Sequence, residues 1–347
     1  MIERLARILI TGGAGFIGST LVRQCLKQDE LTVINLDSLT YAGHVLSLAD
    51  VAQNPRHVFV EGDIADASLV ADVLREYRPQ AIMHLAAETH VDRSIVRPTT
   101  FAQTNVVGSC ELLDAVTSYW QGLPVEEKQS FRFLLVSTDE VFGSTDETEL
   151  FDEESPIAPN SPYAASKAAA ELFARAFAKT FGLPILVANP SNNYGARQHP
   201  EKLIPKMILT VARGEPLPVY GDGLHQRDWL HVEDCCRALM AILFYGNPGD
   251  RFTIGGSNCL PNLAVVERIC DQLDDILADG RQRRRLITQV ADRPGHDRCY
   301  AVSSCRLKTA TGWQPQIPFD SGLRETVEWY LDHSDWVNQI QEPNLPK

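Results

Sequence analysis

No apolar run in the sequence approaches the roughly 18 residues that a membrane-spanning helix requires, so no membrane span is expected. The first residues, Met1–Gly13, contain only a short apolar stretch that leads directly into glycines. They lack the longer apolar region and the small-residue cleavage site of a secretion signal. We therefore expect a cytoplasmic protein.

Cysteine pairs with metal-binding or redox spacing are also absent. The sequence has 8 cysteines but no C-x-x-C, which predicts reduced, mostly buried thiols in a chain without a secretion signal. The histidines show no metal-ligand spacing, so no metal is predicted. An excess of basic residues is missing as well. The net charge of −13 makes nucleic acid a poor candidate partner, but it does not exclude an anionic small ligand.

Short apolar segments alternate with helical patterns through the first half of the chain. Continuous apolar segments such as Phe133–Val136 are typical of strands buried on both faces, and β-α alternation predicts parallel strands with crossover helices. The alternation weakens after Asn189. We predict an α/β fold with a Rossmann-type doubly wound parallel sheet, built from residues 1–190 and about 227–256. A smaller C-terminal substrate-binding domain is predicted from residues 191–226 and 257–347.

A predicted strand followed by a glycine-rich loop lies at the start of the chain. Arg7–Thr11 leads into Gly12, Gly15 and Gly18, and a helical pattern follows. In dinucleotide-binding loops such glycines permit a tight turn, approach of the pyrophosphate and close helix–strand packing, and the helix N-terminus favours an anion. Asp37 ends the next strand, where a carboxylate can bind a ribose diol and repel a 2′-phosphate. The loop predicts NAD rather than NADP, and a tight turn without a ligand is the alternative.

Tyr163 and Lys167 lie near the start of a predicted helix, four residues apart and therefore on one face. Ser161 is suited to cap this helix, and Pro162 suits its first position. A neighbouring ammonium and a cationic nicotinamide would stabilise the phenolate of the tyrosine, which could then accept a proton from a sugar hydroxyl. Taken alone, the two residues could be an ordinary exposed pair. Together with the NAD loop they resemble the extended short-chain dehydrogenase/reductase family.

Other residues at the ends of predicted strands complete the expected cofactor site, because ligands of α/β sheets lie outside the carboxyl ends of the strands. Asp63 and Ile64 follow the third strand, and the small residues Ala86 and Ala87 follow the fourth. The predicted NAD-binding residues are Gly12, Gly15, Phe16, Ile17, Gly18, Asp37, Ser38, Leu39, Thr40, Asp63, Ile64, Leu85, Ala86, Ala87, Thr104, Tyr163, Lys167 and Asn193.

Two adjacent carboxylates, Asp139 and Glu140, follow Thr138 at the end of another predicted strand. Elimination of water needs a base for the C–H proton and an acid for the leaving hydroxyl, with pKa values pushed apart by their environments. Two solvated loop acids are the alternative explanation. The Thr-Asp-Glu sequence resembles the dTDP-glucose 4,6-dehydratases, in the sugar-nucleotide-modifying branch of the family. The resemblance implies that Thr138 binds the 4-oxygen of the substrate, Asp139 is the acid and Glu140 the base.

The resemblance extends from about residue 7 to residue 331 and also implies a nucleotide-sugar site. In such a site Arg offers bidentate contacts to a diphosphate and Lys a point charge. The predicted substrate-binding residues are Thr89, Thr138, Asn192, Lys202, Leu203, Pro218, Tyr220, Arg227, Asn262, Arg293 and His296. The sequence departs from the family at Phe142, which is usually tyrosine, and at Ala196 and Arg197. These departures leave the base preference open.

The resemblance implies dehydration of dTDP-glucose to dTDP-4-keto-6-deoxyglucose, with C4 oxidation, elimination of water across C5 and C6, and C6 reduction by internally recycled NAD. A UDP-glucose 4,6-dehydratase or a sugar-nucleotide 4-epimerase on the same scaffold is the alternative. A non-catalytic NAD-binding scaffold protein is a more remote one. The expected partners are the sugar nucleotide and a second copy of the chain. The helices predicted at Thr104–Tyr119 and Tyr163–Phe181 would form a four-helix interface in this homodimer.

Overall fold

The computed structural model describes residues 5–145, 149–292 and 294–341. Its main element is a seven-stranded sheet in which every pair of neighbouring strands is parallel. Numbered along the chain, its strands are β1 (Arg7–Thr11), β2 (Thr32–Asp37), β3 (His57–Glu61), β4 (Ala81–His84), β5 (Arg132–Val136), β6 (Ile185–Pro190) and β10 (Arg251–Ile254). Their order across the sheet is β10-β6-β5-β4-β1-β2-β3. The predicted Rossmann-type α/β fold is confirmed.

Helices cover both faces of this sheet. The α-helices are α1 (Phe16–Leu26), α2 (Ala67–Tyr77), α3 (Val91–Val96), α4 (Pro98–Phe101), α5 (Ser109–Gln121), α6 (Val125–Ser130), α7 (Pro162–Phe181), α8 (Leu203–Arg213), α9 (Val232–Tyr245), α10 (Asn262–Leu277), α11 (Cys305–Thr311), α12 (Phe319–Asp332) and α13 (Ser334–Gln341). Short 3₁₀ helices span Val45–Leu48, Asp139–Phe142 and Arg283–Leu286. A π-helix, Ala102–Gly108, precedes α5, so the helix predicted to begin at Thr104 starts in a wider turn.

The two faces of the sheet bury alternate residues of each strand, as a period of two requires. Ile8 and Ile10 belong to an apolar cluster with helices α1 and α9. Leu9 between them belongs to a second cluster, with helices α2, α5 and α7. Both faces of the sheet are therefore buried, which explains why the strands are almost continuously apolar.

The second half of the chain builds a smaller part from short strands and four helices. Strands β7 (Asn192–Tyr194), β9 (Gln226–His231), β11 (Cys259–Pro261) and β13 (Cys299–Tyr300) form one small sheet. Strands β8 (Leu217–Tyr220) and β12 (Ile287–Val290) form another. Helices α8, α10, α12 and α13 share a third apolar cluster. We propose that this part is the predicted C-terminal domain, with α9 and β10 returning to the main sheet and β9 remaining outside it.

Helix α7 begins and ends where its sequence indicates. The Ser161 hydroxyl accepts a hydrogen bond from the amide of Ala164 over 3.1 Å, and Pro162 occupies the first turn. Gly182 follows the helix in the left-handed conformation, with φ of 79°, where glycine has no steric penalty. This capping fixes the position of Tyr163, in the first turn. Within the described ranges, no helix combines the length and apolar character needed to cross a membrane.

Candidate active site

The glycine loop between β1 and α1 lies at the carboxyl edge of the sheet. Gly12 has a φ of 73°, and a Cβ atom there would lie 2.6 Å from the main-chain nitrogen of Ala86. A Cβ atom at Gly18 would lie 2.1 Å from the carbonyl oxygen of Gly12. Close packing within the protein therefore accounts for these two glycines. A Cβ atom at Gly15 would lie 3.3 Å from the carbonyl oxygen of Gly12, and no side chain caps the helix, so the amides of the α1 N-terminus are not covered by a capping side chain.

Asp37 lies at the end of β2 with its carboxylate held by main-chain donors. It accepts hydrogen bonds from the amides of Ala14 and Leu39, over 2.8 and 2.9 Å. Burial raises the pKa of Asp37, and the two amide donors oppose that rise. Asp37 lines the same cleft as the glycine loop.

Two adjoining clefts contain almost all the residues predicted for the site. The first, of about 280 Å³, lies above the carboxyl ends of the strands and includes all five predicted catalytic residues and every predicted NAD-binding residue except Leu39. The second, of about 1050 Å³, lies towards the smaller part of the molecule. Leu39 lines this second cleft instead. Six residues line both clefts: Thr89, Glu140, Asn192, His199, Glu201 and Lys202.

Tyr163 and Lys167 are buried on the same face of α7. The ammonium of Lys167 donates a hydrogen bond to the carbonyl oxygen of Val136 over 2.8 Å, and burial lowers the pKa of Lys167 to about 8. Burial also raises the pKa of the Tyr163 phenol, with a further rise from Glu140, while the hydroxyl of Thr138 lowers it. The phenol is neutral in this environment, and a nearby cation would favour its deprotonation.

Thr138, Asp139 and Glu140 form the turn that follows β5. The Thr138 hydroxyl accepts a hydrogen bond from the amide of Glu140 and donates one to Asp139 Oδ1 over 3.2 Å. Asp139 is only 1% exposed, and within the described ranges its Oδ2 has no hydrogen-bond partner. Burial raises the pKa of Asp139 well above its usual range, with further rises from Glu140 and Asp228. This rise favours the neutral form of Asp139, which is the form that can donate a proton.

A buried polar network that the sequence analysis did not identify supports the catalytic turn. Asn189 donates from Nδ2 to the carbonyl oxygen of Thr138 over 2.9 Å and to the carboxylate of Glu171 over 2.6 Å. Glu171 is 2% exposed and is also paired with Arg251 at 2.5 Å. Glu171 lies four residues after Lys167, so its helical spacing was the available signal.

A second supporting group surrounds Asn105 in the π-helix. Its Oδ1 accepts from the amide of Glu88, and its Nδ2 donates to the Glu88 carbonyl and to the hydroxyl of Ser166 over 2.9 Å. The hydroxyl of Ser166 in turn donates to the carbonyl oxygen of Tyr163. Asn105 therefore connects the loop after β4 to the first turn of α7.

The second cleft gathers the predicted substrate-binding residues. Those that line it are Thr89, Asn192, Lys202, Leu203, Pro218, Tyr220, Arg227, Asn262 and His296. Thr138 lines the first cleft, and Arg293 lies outside the described residues. The guanidinium of Arg227 lies 4.3 Å from the ring centre of Tyr300 and donates to the carbonyl oxygen of Asp297. Lys206 and Arg213 also line the cleft, and such cations can bind phosphate groups.

Several residues of the two clefts were not predicted from the sequence, although they are neighbours of predicted ones. Tyr41 follows Thr40 and lies under the guanidinium of Arg93, 3.8 Å from the ring centre. Arg93 also pairs with Glu201 at 3.3 Å.

His225, Asp292 and His296 form a group of side chains whose nitrogen and oxygen atoms could bind a metal ion, and these atoms lie within 4.8 Å of one another. The sequence spacing did not reveal this group, and the absence of a metal stays a prediction.

Comparisons with known proteins agree with this geometry. A family model described as GDP-mannose 4,6 dehydratase matches residues 9–326. The dTDP-glucose 4,6-dehydratase 1 of Escherichia coli K12 is 49% identical over 344 residues, covering 96% of this chain and 95% of that protein. A dTDP-glucose 4,6-dehydratase of Neisseria gonorrhoeae is 51% identical over 336 residues, covering 95% and 97%.

Solved structures of a dehydratase and of an epimerase have the same fold as this chain. DesIV, a dTDP-glucose 4,6-dehydratase from Streptomyces venezuelae crystallised with NAD bound, superimposes with a TM-score of 0.88 at 43% identity, covering 96% of this chain and 100% of that one. A UDP-glucose 4-epimerase from Thermotoga maritima has a TM-score of 0.82 at 28% identity, covering 94% and 99%. The predicted resemblance is confirmed, and the chain belongs to the dTDP-glucose 4,6-dehydratase family.

Proposed function

We propose that the protein is an NAD-dependent lyase that converts dTDP-glucose to dTDP-4-keto-6-deoxyglucose. The observation that carries this proposal is the pair of adjacent carboxyl groups near Tyr163, of which Asp139 is buried and Glu140 is partly exposed. Burial raises the pKa of Asp139 and so favours its protonated form, and Glu140 follows it in the same turn, lining both clefts. A protonated acid next to a second carboxyl group suits elimination of water, which requires a proton donor and a proton acceptor together.

The residues of the first cleft fit NAD. The open N-terminus of α1 at Gly15 suits a pyrophosphate, and the carboxylate of Asp37 suits a ribose diol. Tyr163 and Lys167 line the same cleft, and in the proposed complex they lie beside the nicotinamide. Bound there, NAD would supply the hydride acceptor for C4 and the hydride donor for C6. The DesIV relative crystallised with NAD supports this cofactor.

Each catalytic residue has one role in the proposed reaction. Tyr163 accepts the proton of the 4-hydroxyl as C4 is oxidised, and the ammonium of Lys167 helps to stabilise its phenolate. Thr138 binds the 4-oxygen. The ketone at C4 acidifies the C5 proton, which Glu140 removes while Asp139 protonates the departing 6-hydroxyl. Reduction at C6 and reprotonation at C5 complete the product.

The substrate is proposed from the second cleft and from the relatives. Arg227 and Lys202 line this cleft, and Arg and Lys are the usual ligands of phosphate groups. The dTDP-glucose specificity of the named relatives favours thymidine over uridine. The proposal therefore ranks dTDP-glucose first, with UDP-glucose as the alternative nucleotide sugar.

One assay distinguishes the proposed reaction from its alternatives. The purified protein would be incubated separately with dTDP-glucose and UDP-glucose, and the products would be identified by NMR and mass spectrometry. The proposal requires a 4-keto-6-deoxy product that has lost one water, formed faster from dTDP-glucose. A galactose epimer with unchanged mass would instead identify a 4-epimerase. A variant with Tyr163→Phe provides the inactive control, and no reaction by the wild type would favour the non-catalytic alternative.

The proposal also includes a homodimer and a cytoplasmic location. On α7, Leu172 and Phe173 are 53% and 41% exposed although both are large and apolar. Val107, in the π-helix before α5, is 41% exposed. Exposed apolar side chains on the two helices predicted for the interface are suited to packing against a second copy. The eight cysteines are all free, which suits a reducing compartment.

A further inference from the structure

His225 is a buried histidine that does not itself line the second cleft. It immediately precedes β9 and is 5% exposed. Its imidazole stacks on that of His296, with ring centres 3.6 Å apart and an angle of 12° between the planes. His296 does line the cleft, so one face of a predicted substrate-binding ring rests on His225.

Asp292 joins the two rings at their edges. Its Oδ1 lies 2.7 Å from Nδ1 of His296, and its Oδ2 lies 3.2 Å from Nε2 of His225. One carboxylate therefore holds two stacked imidazoles through its two oxygens. Because stacking fixes the ring plane and a hydrogen bond fixes rotation within that plane, the orientation of His296 is determined by both neighbours.

The main chain of His225 supports a second side of the cleft. Its carbonyl oxygen accepts a hydrogen bond from the amide of Asn262 over 2.9 Å. Asn262 begins α10 and lines the cleft, as does Arg227, two residues after His225. His225 thus contacts His296 and Asn262 directly, and it lies two residues before Arg227, which belongs to β9.

We propose that His225 is a positioning residue for the nucleotide diphosphate, acting by holding His296 and Asn262 in the arrangement that binds it. The inference rests on the proposed function, since it assigns the second cleft to the nucleotide part of the substrate. His225 lies behind the residues that line the cleft, so its substitution affects binding more than the chemical steps at C4, C5 and C6. The pattern of KM and kcat separates this role from a catalytic one.

Three substitutions separate the contributions of His225. His225→Ala removes the ring and the Asp292 contact. His225→Phe keeps a ring that can stack but has no N–H donor, and His225→Gln keeps a donor near the position of Nε2 but has no ring. His333→Ala is the matched control, because His333 also stacks on an aromatic ring, that of Trp329 at 4.4 Å, but does not line either cleft.

The first measurement is the Kd of dTDP, by calorimetry on the full-length protein, and the second is KM and kcat with dTDP-glucose. We expect His225→Ala to raise Kd and KM about tenfold, with kcat within about twofold of the wild type. His225→Gln and His225→Phe should each recover part of the loss, and His333→Ala should bind dTDP like the wild type. Unchanged Kd and KM in His225→Ala, or a fall in kcat alone, would overturn the proposal.

Thermal melting of each variant shows whether the fold is retained. If His225→Ala does not fold, the Gln and Phe variants decide: weaker dTDP binding in both supports the proposal, and wild-type binding in both overturns it. The dTDP measurement needs no turnover. A wild type that binds dTDP but does not dehydrate dTDP-glucose would refute the proposed reaction and leave the role of His225 to be judged by dTDP binding alone.

Discussion

The ammonium of Lys167 donates a hydrogen bond to the carbonyl oxygen of Val136, over 2.8 Å. This bond connects the catalytic face of α7 to the last residue of β5, immediately before the turn that carries Thr138, Asp139 and Glu140. The Tyr–Lys pair and the acid–base pair are therefore held in one arrangement by a buried charge. Such a charge is costly to fold, because burial disfavours the protonated amine.

Lys167→Met should therefore remove activity without lowering stability. The pKa of Lys167 is lowered to about 8 in the folded protein, below the value of about 10.4 in an unfolded chain. Between these values the unfolded state binds more protons, so the stability of the wild type should rise with pH. At pH near 7 we expect the variant to be more stable by on the order of 1–3 kcal/mol, less the lost hydrogen bond.

Urea unfolding at pH near 7 and near 9.5 measures this effect. Lys179→Met removes an exposed lysine from the same helix and should leave both the stability and its pH dependence almost unchanged. A Lys167→Met protein that is clearly less stable than the wild type at neutral pH would show that the ammonium stabilises the fold.

Asp139→Asn tests whether the acid is protonated at rest. Since burial raises the pKa of Asp139 well above its usual range, the unfolded chain loses this proton at lower pH than the folded one. The wild type should then lose stability as pH rises from about 4 towards the folded pKa, by about 1.4 kcal/mol per pH unit at most. Asparagine stays neutral, so this loss should be absent in the variant, while dehydration should fall about 10²–10⁴-fold.

The comparison is made by unfolding both proteins in urea across this pH range. Asp332→Asn, at an exposed position, controls for the loss of a carboxylate elsewhere. Parallel pH profiles for the wild type and Asp139→Asn would mean that Asp139 ionises normally and is not the resting acid.

Asp37→Ala tests the cofactor preference. In the wild type the carboxylate would repel the 2′-phosphate of NADP, so we expect NAD to bind at least about tenfold more tightly, about 1.4 kcal/mol. The variant should lose most of this difference. Asp63→Ala is the matched control, because Asp63 is another carboxylate of the same cleft, placed to meet the adenine common to both cofactors. Fluorescence titration with each cofactor measures the preference, and equal affinities in the wild type would contradict the role of Asp37.

Local patterns in the sequence were sufficient for most of the sheet and for most of the lining of the first cleft. The strands of the main sheet are apolar because both faces are buried, and their ends carry the polar residues, so Asp37, Asp63 and Thr138 could all be located from strand ends alone. The glycine loop and the capped start of α7 depend on neighbours within a few residues, which a single sequence displays directly.

Contacts between distant segments could not be predicted in this way. Glu171 and Arg251 are 80 residues apart, and the stack of His225 on His296 joins segments 71 positions apart. Leu39 was predicted to bind NAD, but it has a positive φ of 50° and lines the second cleft instead. Side-chain direction in such a turn depends on backbone conformation that the residue types do not specify.

Phe173→Arg tests the proposed homodimer. Phe173 is 41% exposed in the single chain, and a guanidinium placed in an apolar four-helix interface would be buried without a partner. We expect the variant to sediment as a monomer at micromolar concentration while the wild type sediments as a dimer. Leu277→Arg is the matched control, because Leu277 is also 41% exposed but is the last residue of α10, in the smaller part of the molecule. It should remain dimeric, and a monomeric wild type would refute the interface.

Glu140→Gln and Tyr163→Phe together separate the chemical steps. Glutamine keeps the shape of Glu140 but cannot accept the C5 proton, so dehydration and the exchange of that proton with solvent deuterium should both fall about 10²–10⁴-fold. Oxidation at C4 depends on Tyr163 and Lys167 and should partly survive, so an NADH absorbance signal should still appear in the Glu140 variant. Tyr163→Phe lacks the group that accepts the 4-hydroxyl proton, and it should block that signal itself.

The measurements are single-turnover NADH absorbance, product formation, and C5 deuterium incorporation in both variants. Together these measurements show the order of the chemical steps, because the C5 proton can exchange only after the 4-ketone has formed. If Glu140→Gln dehydrates dTDP-glucose at nearly the wild-type rate, Glu140 is not the base. The pair of carboxyl groups beside Tyr163 would then no longer favour elimination of water over simple oxidation or epimerisation at C4.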